Sequence, residues 1–126
     1  MTNGFFVEAG ADDFETGSNT LHFEVNKNWK GLLVEPNPII YPAGLVKNRK
    51  VWFSPNCLAT KASPQFVSFS SESVIEGGMA GIVDDDNDNI SSYTMQCLPL
   101  YTLLLAVGAT TVNYFSLDIE GPEFQV

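Results

Sequence analysis

Positive charge is scarce in this chain. Six lysines and arginines stand against 15 acidic residues in a length of 126, a formal net charge of −9. Such a surface repels a nucleic-acid backbone or an anionic membrane unless cations gather locally, and no nucleic-acid partner is expected. The only cluster, Lys47-Asn48-Arg49-Lys50, reads as a solvated helix end. Cysteine is as rare. Cys57 and Cys97 are too few for a disulfide scaffold and lack metal-type spacing, so they read as buried thiols rather than a pair. His22 is the single histidine and falls within a helical stretch, which leaves a zinc site or a histidine-based triad with little support. The acidic run Asp84 to Asn89 invites a calcium reading, but Asn89 and Met95 stand where an EF-hand loop needs glycine and glutamate. It is read as a solvated loop, and no metal is expected.

Long apolar runs are absent too. The longest, Leu98 to Ala109, is interrupted by Pro99, Thr102 and Gly108, and it falls short of the ~18 residues a membrane span needs. No basic segment precedes Gly4-Phe5-Phe6-Val7, so a signal peptide is not expected and the cytoplasm is the default compartment. The glycosylation sequon Asn89-Ile90-Ser91 is read as chance on the same ground.

What the chain does have is a core. Hydrophobic residues make up 44% and charged residues 17%, consistent with one domain over residues 1–126. Gly4 to Gly10 and Gly31 to Glu35 read as buried strands. A polar turn from Ala11 to Gly17 separates the first from a helix over about Asn19 to Asn28, capped by Ser18-Asn19-Thr20, with Leu21, Val25 and Trp29 on one face. A second helix starts at Asn37-Pro38 and runs through Ile40, Tyr41 and Leu45 to Asn48. Val51 to Leu58 is a third strand, weakened by Pro55. Phe66 to Ser70 alternates with period two, as a half-exposed antiparallel strand does. A long loop from Ser71 to Asn89, a strand at Ser92 to Leu98, a helix at Pro99 to Val107 and a strand at Val112 to Asp118 complete the order. Buried strands alternating with helices predict an α/β fold of the Rossmann type, a mostly parallel sheet with helices on both faces.

In such sheets ligands bind beyond the carboxyl ends of the strands. Glu8 with the Gly10 loop, Glu35, and Asp118 with Glu120 all fall there. Glu35 lies 25 residues past Gly10, close to the ~20 at which a carboxylate holds ribose hydroxyls. The loop Gly10-Ala11-Asp12-Asp13-Phe14-Glu15-Thr16-Gly17 has Asp12 where a dinucleotide fold needs its second glycine. Its carboxylates would also face two phosphates, which argues against NAD. S-adenosylmethionine carries a sulfonium and an ammonium and no phosphate, so an acidic loop suits it.

The stretches GFFVEAGA from Gly4, Ser18-Asn19-Thr20 with Glu24, and WKGLLVEPNP from Trp29 resemble the FkbM-type methyltransferase family. Asn48-Arg49, Cys57-Leu58, Pro99-Leu100 and YFSLDIEG from Tyr114 continue the resemblance in order, closest to its Star-like invertebrate branch. It implies the class I S-adenosylmethionine-dependent methyltransferase fold and methyl transfer to a hydroxyl of a small molecule or glycan. It further implies that Glu8, Gly10 and Ala11 form the first cofactor loop and that Asp13 touches the methionine end. Ser18 and Asn19 would bind the cofactor carboxylate through backbone N–H groups, Glu35 would hold the ribose, and Pro36 and Asn37 would lie beside the adenine. Asp118 and Glu120 would lie near the transferring methyl, either one a general base if burial raised its pKa. Phe14 stands where the family usually has glycine, a residue disfavoured if the backbone there is left-handed. The alternative is a non-catalytic Star-like interaction domain with a protein partner, acting in trafficking of membrane signalling proteins. Glu123 to Val126 begins a helix without finishing it, so the domain is expected to be incomplete, its C-terminal strands missing. A lone copy is then expected to expose the apolar strand Val112 to Asp118 and to associate.

Overall fold

The computed structural model describes residues 1–11, 13–70, 92–119 and 126. Along them run β1 (Phe5–Ala9), α1 (Leu21–Lys27), β2 (Lys30–Val34), α2 (Ile40–Leu45), β3 (Trp52–Ser54), β4 (Cys57–Leu58), β5 (Gln65–Ser70), β6 (Ser92–Leu98), α3 (Leu100–Val107) and β7 (Tyr114–Leu117). Four strands form an all-parallel sheet in the order β3-β2-β1-β7, and three form a second sheet in the order β4-β6-β5. The layering is α/β and consistent with a Rossmann-like fold.

The central strands β1 and β2 are apolar almost without interruption because both of their faces are covered. Alternate residues Val7, Ala9, Leu32 and Val34 pack with Leu103 and, around it, Leu100, Leu104 and Val107 of α3. Phe6 and Leu33 point the other way, into a cluster with Ala11, Phe14 and Trp29 that Phe23 of α1 and Ile40 and Tyr41 of α2 adjoin. Helices therefore cover both faces of the parallel sheet. On α1 the packed face differs from the expected one. Val25 is 70% exposed, and Phe23 stacks on Trp29 with ring centroids 4.6 Å apart. Leu45, at the end of α2, is exposed as well.

Val51 to Leu58 is not one strand. Pro55, which has no N–H to give a ladder, separates β3 from β4, and the two belong to different sheets. In the second sheet β5 runs antiparallel to β6, with Phe69 opposite Tyr93 and Val67 opposite Met95. The expected alternation holds: Phe69 and Met95 are buried, while Phe66 on the opposite face is exposed. Cys57 lies opposite Cys97 in the parallel β4–β6 pair. They form a disulfide rather than the expected buried thiols, with Cα atoms 4.2 Å apart. The expected loop at 71–89 and the helix start at 123–125 lie outside the described residues. Among the described residues β7 pairs with β1 alone and stands at the sheet edge.

Phe14 is fully buried with a left-handed backbone, φ 67°. Its ring packs against Phe53, centroids 5.2 Å apart, and lies over Gly44, where an added Cβ would come within 2.1 Å of it. Only glycine at position 44 leaves room for that ring. Gly44→Ala is therefore expected to cost about 2–3 kcal/mol by overpacking and Phe14→Ala about 3–5 kcal/mol by opening a cavity. Because the two share one space, the double variant should be no less stable than Phe14→Ala alone in urea denaturation. Additive costs would mean that the two positions do not compete for that space.

Candidate functional site

β1 is the strand at which the order reverses: the chain passes outward through β2 and β3 on one side and later returns as β7 on the other. The loop leaving β1 therefore crosses the switch point of the sheet, where open α/β folds place their ligands. Gly10 opens that loop with φ 78°, and a Cβ there would lie 1.8 Å from the Asp118 carbonyl oxygen. The Asp118 N–H donates to the Ala9 carbonyl at 3.1 Å, which holds the end of β7 against the loop. Side chains other than hydrogen are excluded at this crossing.

Glu8 is the last polar residue inside β1 and is buried. A buried carboxylate must be hydrogen-bonded, since its desolvation costs several kcal/mol. Its Oε1 accepts the Asn19 backbone N–H at 2.8 Å. Its Oε2 accepts the hydroxyls of Ser18 at 2.8 Å and Thr20 at 2.5 Å. Those hydroxyls in turn accept from the Arg49 guanidinium, Nη1 to Ser18 at 3.2 Å and Nη2 to Thr20 at 3.3 Å. Arg49 also donates from Nη1 to the Phe14 carbonyl at 2.6 Å and from Nε to Glu24. Glu24 accepts the Lys50 N–H at 2.7 Å through its other oxygen. Arg49 is 8% exposed, so it is no part of a solvated cluster. The sequence reading missed its role, because Glu24, its partner, lies 25 positions away and no local pattern pairs the two.

The remaining candidates divide. Asn19 gives its backbone N–H to Glu8 and its side-chain Nδ2 to Ser116 Oγ at 3.1 Å, tying the start of α1 to β7. The Ser18 hydroxyl is likewise engaged within the protein. Ala11 turns its side chain into the core and its carbonyl to the Phe14 N–H at 2.9 Å. Asp13 Oδ1 accepts the Glu15 and Thr16 N–H groups at 2.9 and 2.7 Å. The Thr16 side chain and then these backbone N–H groups lower its pKa from 3.8 to about 2.

Glu35 follows β2 directly and is 3% exposed. Its Oε1 accepts the Asn37 N–H at 2.9 Å. Asn37, fully buried, accepts the Ile39 and Ile40 N–H groups at 2.9 and 3.4 Å and so caps the turn into α2. Pro36, between them, is partly exposed. Asp118 is exposed, so the burial that a base role invoked is not present. Glu120 lies outside the described residues. Among the described residues no cluster of three His, Cys, Asp or Glu gathers as a metal site, and no helix is long and apolar enough to cross a membrane. Compared with protein-family models, curated proteins and solved structures, the chain matches none.

Two outcomes follow from this geometry. Arg49→Met leaves the partly buried Glu24 without its cation and the Ser18 and Thr20 hydroxyls without their donor, and should cost about 3–5 kcal/mol in chemical denaturation. Lys47→Met, which removes an exposed pair with Glu15 (3.4 Å), should cost no more than about 0.5 kcal/mol. The lowered pKa of Asp13 means that the folded state holds its carboxylate better than the unfolded chain does. That stability is fully present above pH 3.8 and is lost as pH falls through about 2. Asp13→Asn should flatten the acid limb of the stability profile in that window, as followed by circular dichroism.

Proposed function

We propose that this domain binds S-adenosylmethionine and transfers its methyl group to a hydroxyl of a small molecule or glycan, within a class I methyltransferase fold. The supporting observation is the switch-point crossing: Gly10 against the Asp118 carbonyl at the end of β1, with buried Glu35 at the end of the adjacent strand. The donor set suits a nucleoside without phosphates. Glu35 is the acceptor for ribose hydroxyls, with Pro36 and Asn37 beside the base, and the backbone of Gly10 and Ala11 borders the methionine portion. Glu8 and Ser18 act from behind: they hold the loop in shape and are not themselves ligand contacts. Asn19 belongs with them, since its N–H is already engaged.

When bound, the cofactor supplies a methyl activated by the sulfonium. The protein's task is then mainly to align the acceptor and remove its proton. Asp118, exposed at the end of β7, is open to an acceptor hydroxyl, and the bound acceptor provides the burial that the free protein does not.

A second reading is the non-catalytic Star-like interaction domain. The exposure of Asp118, the engaged Asn19 N–H and the closure of Asp13 onto its own turn all favour it. Calorimetry with S-adenosylhomocysteine separates the two. The enzyme reading expects micromolar binding, weakened at least about tenfold (one lost charge-assisted hydrogen-bond pair) by Glu35→Ala. No heat at millimolar ligand in a folded sample favours the interaction domain.

A further inference from the structure

We propose that the Cys57–Cys97 disulfide is a permanent clasp on the neck of the second sheet, and that the chain therefore matures in an oxidising compartment: a secretory lumen, the cell exterior or a periplasm. The chain leaves the parallel sheet after β3, at Pro55, and returns to it at Pro99, where α3 begins. The two cysteines stand at these two points, 40 residues apart in sequence and in register across β4 and β6.

Among the described residues the neck is otherwise held by the packing of Leu58 and Leu98 on the main core and by a few hydrogen bonds. β4 has two residues. Beyond its ladder, Ala59 N–H donates to the Leu98 carbonyl at 2.9 Å, and the Asn56 side chain to the Gln96 carbonyl at 3.1 Å. Cys97 is 4% exposed, and Cys57 packs with Val67 on the Phe69–Met95 cluster. Cys57 is partly buried, and the bond lies between two strands already paired in register, which sets it apart from the fully exposed disulfides that act as switches. Within these 126 residues each of the two cysteines is the other's partner. A structural bond of this kind is rare where glutathione and thioredoxin keep thiols reduced. The cytoplasmic default drawn from the leading residues is replaced accordingly.

Two measurements test this. Cells that make the protein are quenched in denaturant with one maleimide, then reduced and treated with a maleimide of different mass. Peptides bearing Cys57 and Cys97 are expected to carry the second label alone, and a protein carrying the first label at both positions overturns the proposal. The purified full chain is then melted with and without dithiothreitol. Reduction is expected to lower the midpoint by on the order of 10 °C, as opening a loop of this length predicts, with Cys57→Ala/Cys97→Ala melting alongside the reduced form. Oxidised and reduced chains that melt together overturn the clasp, and that comparison does not depend on the double variant folding.

Discussion

A single buried carboxylate organises the end of the sheet where the candidate site lies. Glu8 sits inside the central strand, where water cannot solvate it, so its oxygens must be satisfied by the protein. The three donors come from consecutive residues, Ser18, Asn19 and Thr20. The loop between β1 and α1 is thus obliged to double back onto the strand it has left. Arg49 then approaches the same hydroxyls from the far side and brings the connection between α2 and β3 with it. Its reach to Glu24 balances the second acidic group. Three segments distant in sequence are held by one connected set of charged hydrogen bonds. Such a set is strongly destabilised by the loss of any one member.

The doubled-back loop has a consequence for backbone conformation. Gly10 and Phe14 both take positive φ, for different reasons. Gly10 does so at a crossing with the Asp118 carbonyl that admits no side chain, whereas Phe14 carries a large apolar ring that is fully buried. An L-residue in that region costs about 1–2 kcal/mol, which is smaller than the several kcal/mol gained when a phenylalanine ring is buried. Arg49 fixes the Phe14 carbonyl, and Gly44 leaves space for the ring. The inner side of the loop is thus held at Phe14, by its ring against Phe53 and its carbonyl against Arg49.

The two sheets differ in how they are held. The parallel sheet is stabilised by apolar residues on both faces and needs no covalent help. The second sheet has a small cluster, Phe69 and Met95 with Val67 and Cys57 around it, and two of its own strands, β4 and β6, are joined by a covalent bond. Small apolar clusters stabilise little on their own, and chains in that position commonly add disulfides.

Much of this architecture was legible in the residues themselves. Unbroken apolar strands, the period-two stretch at Phe66 to Ser70, the Asn37 cap and the end of α3 at Gly108 are local signals, carried by a few neighbouring side chains. The same holds for Glu8 near the end of β1, Glu35 after β2 and Asp118 after β7, because strand ends follow from strand positions. Tertiary structure alone decided the rest. Arg49 reads as a surface cation beside Lys47 and Lys50, and it is buried because Glu24, Phe14 and Ser18 converge on it from elsewhere in the chain. Val25 and Phe23 are both apolar on one short helix, and only the position of Trp29 selects Phe23. Cys57 and Cys97 are unremarkable in sequence, and the register of two strands 40 residues apart makes them a pair. Most strands and helices among the described residues could be placed from burial periodicity, a local property, but the break at Pro55 that sends β3 and β4 into different sheets could not. Which polar groups face one another was decided only by the fold, because desolvation and hydrogen bonding depend on neighbours that no local window contains.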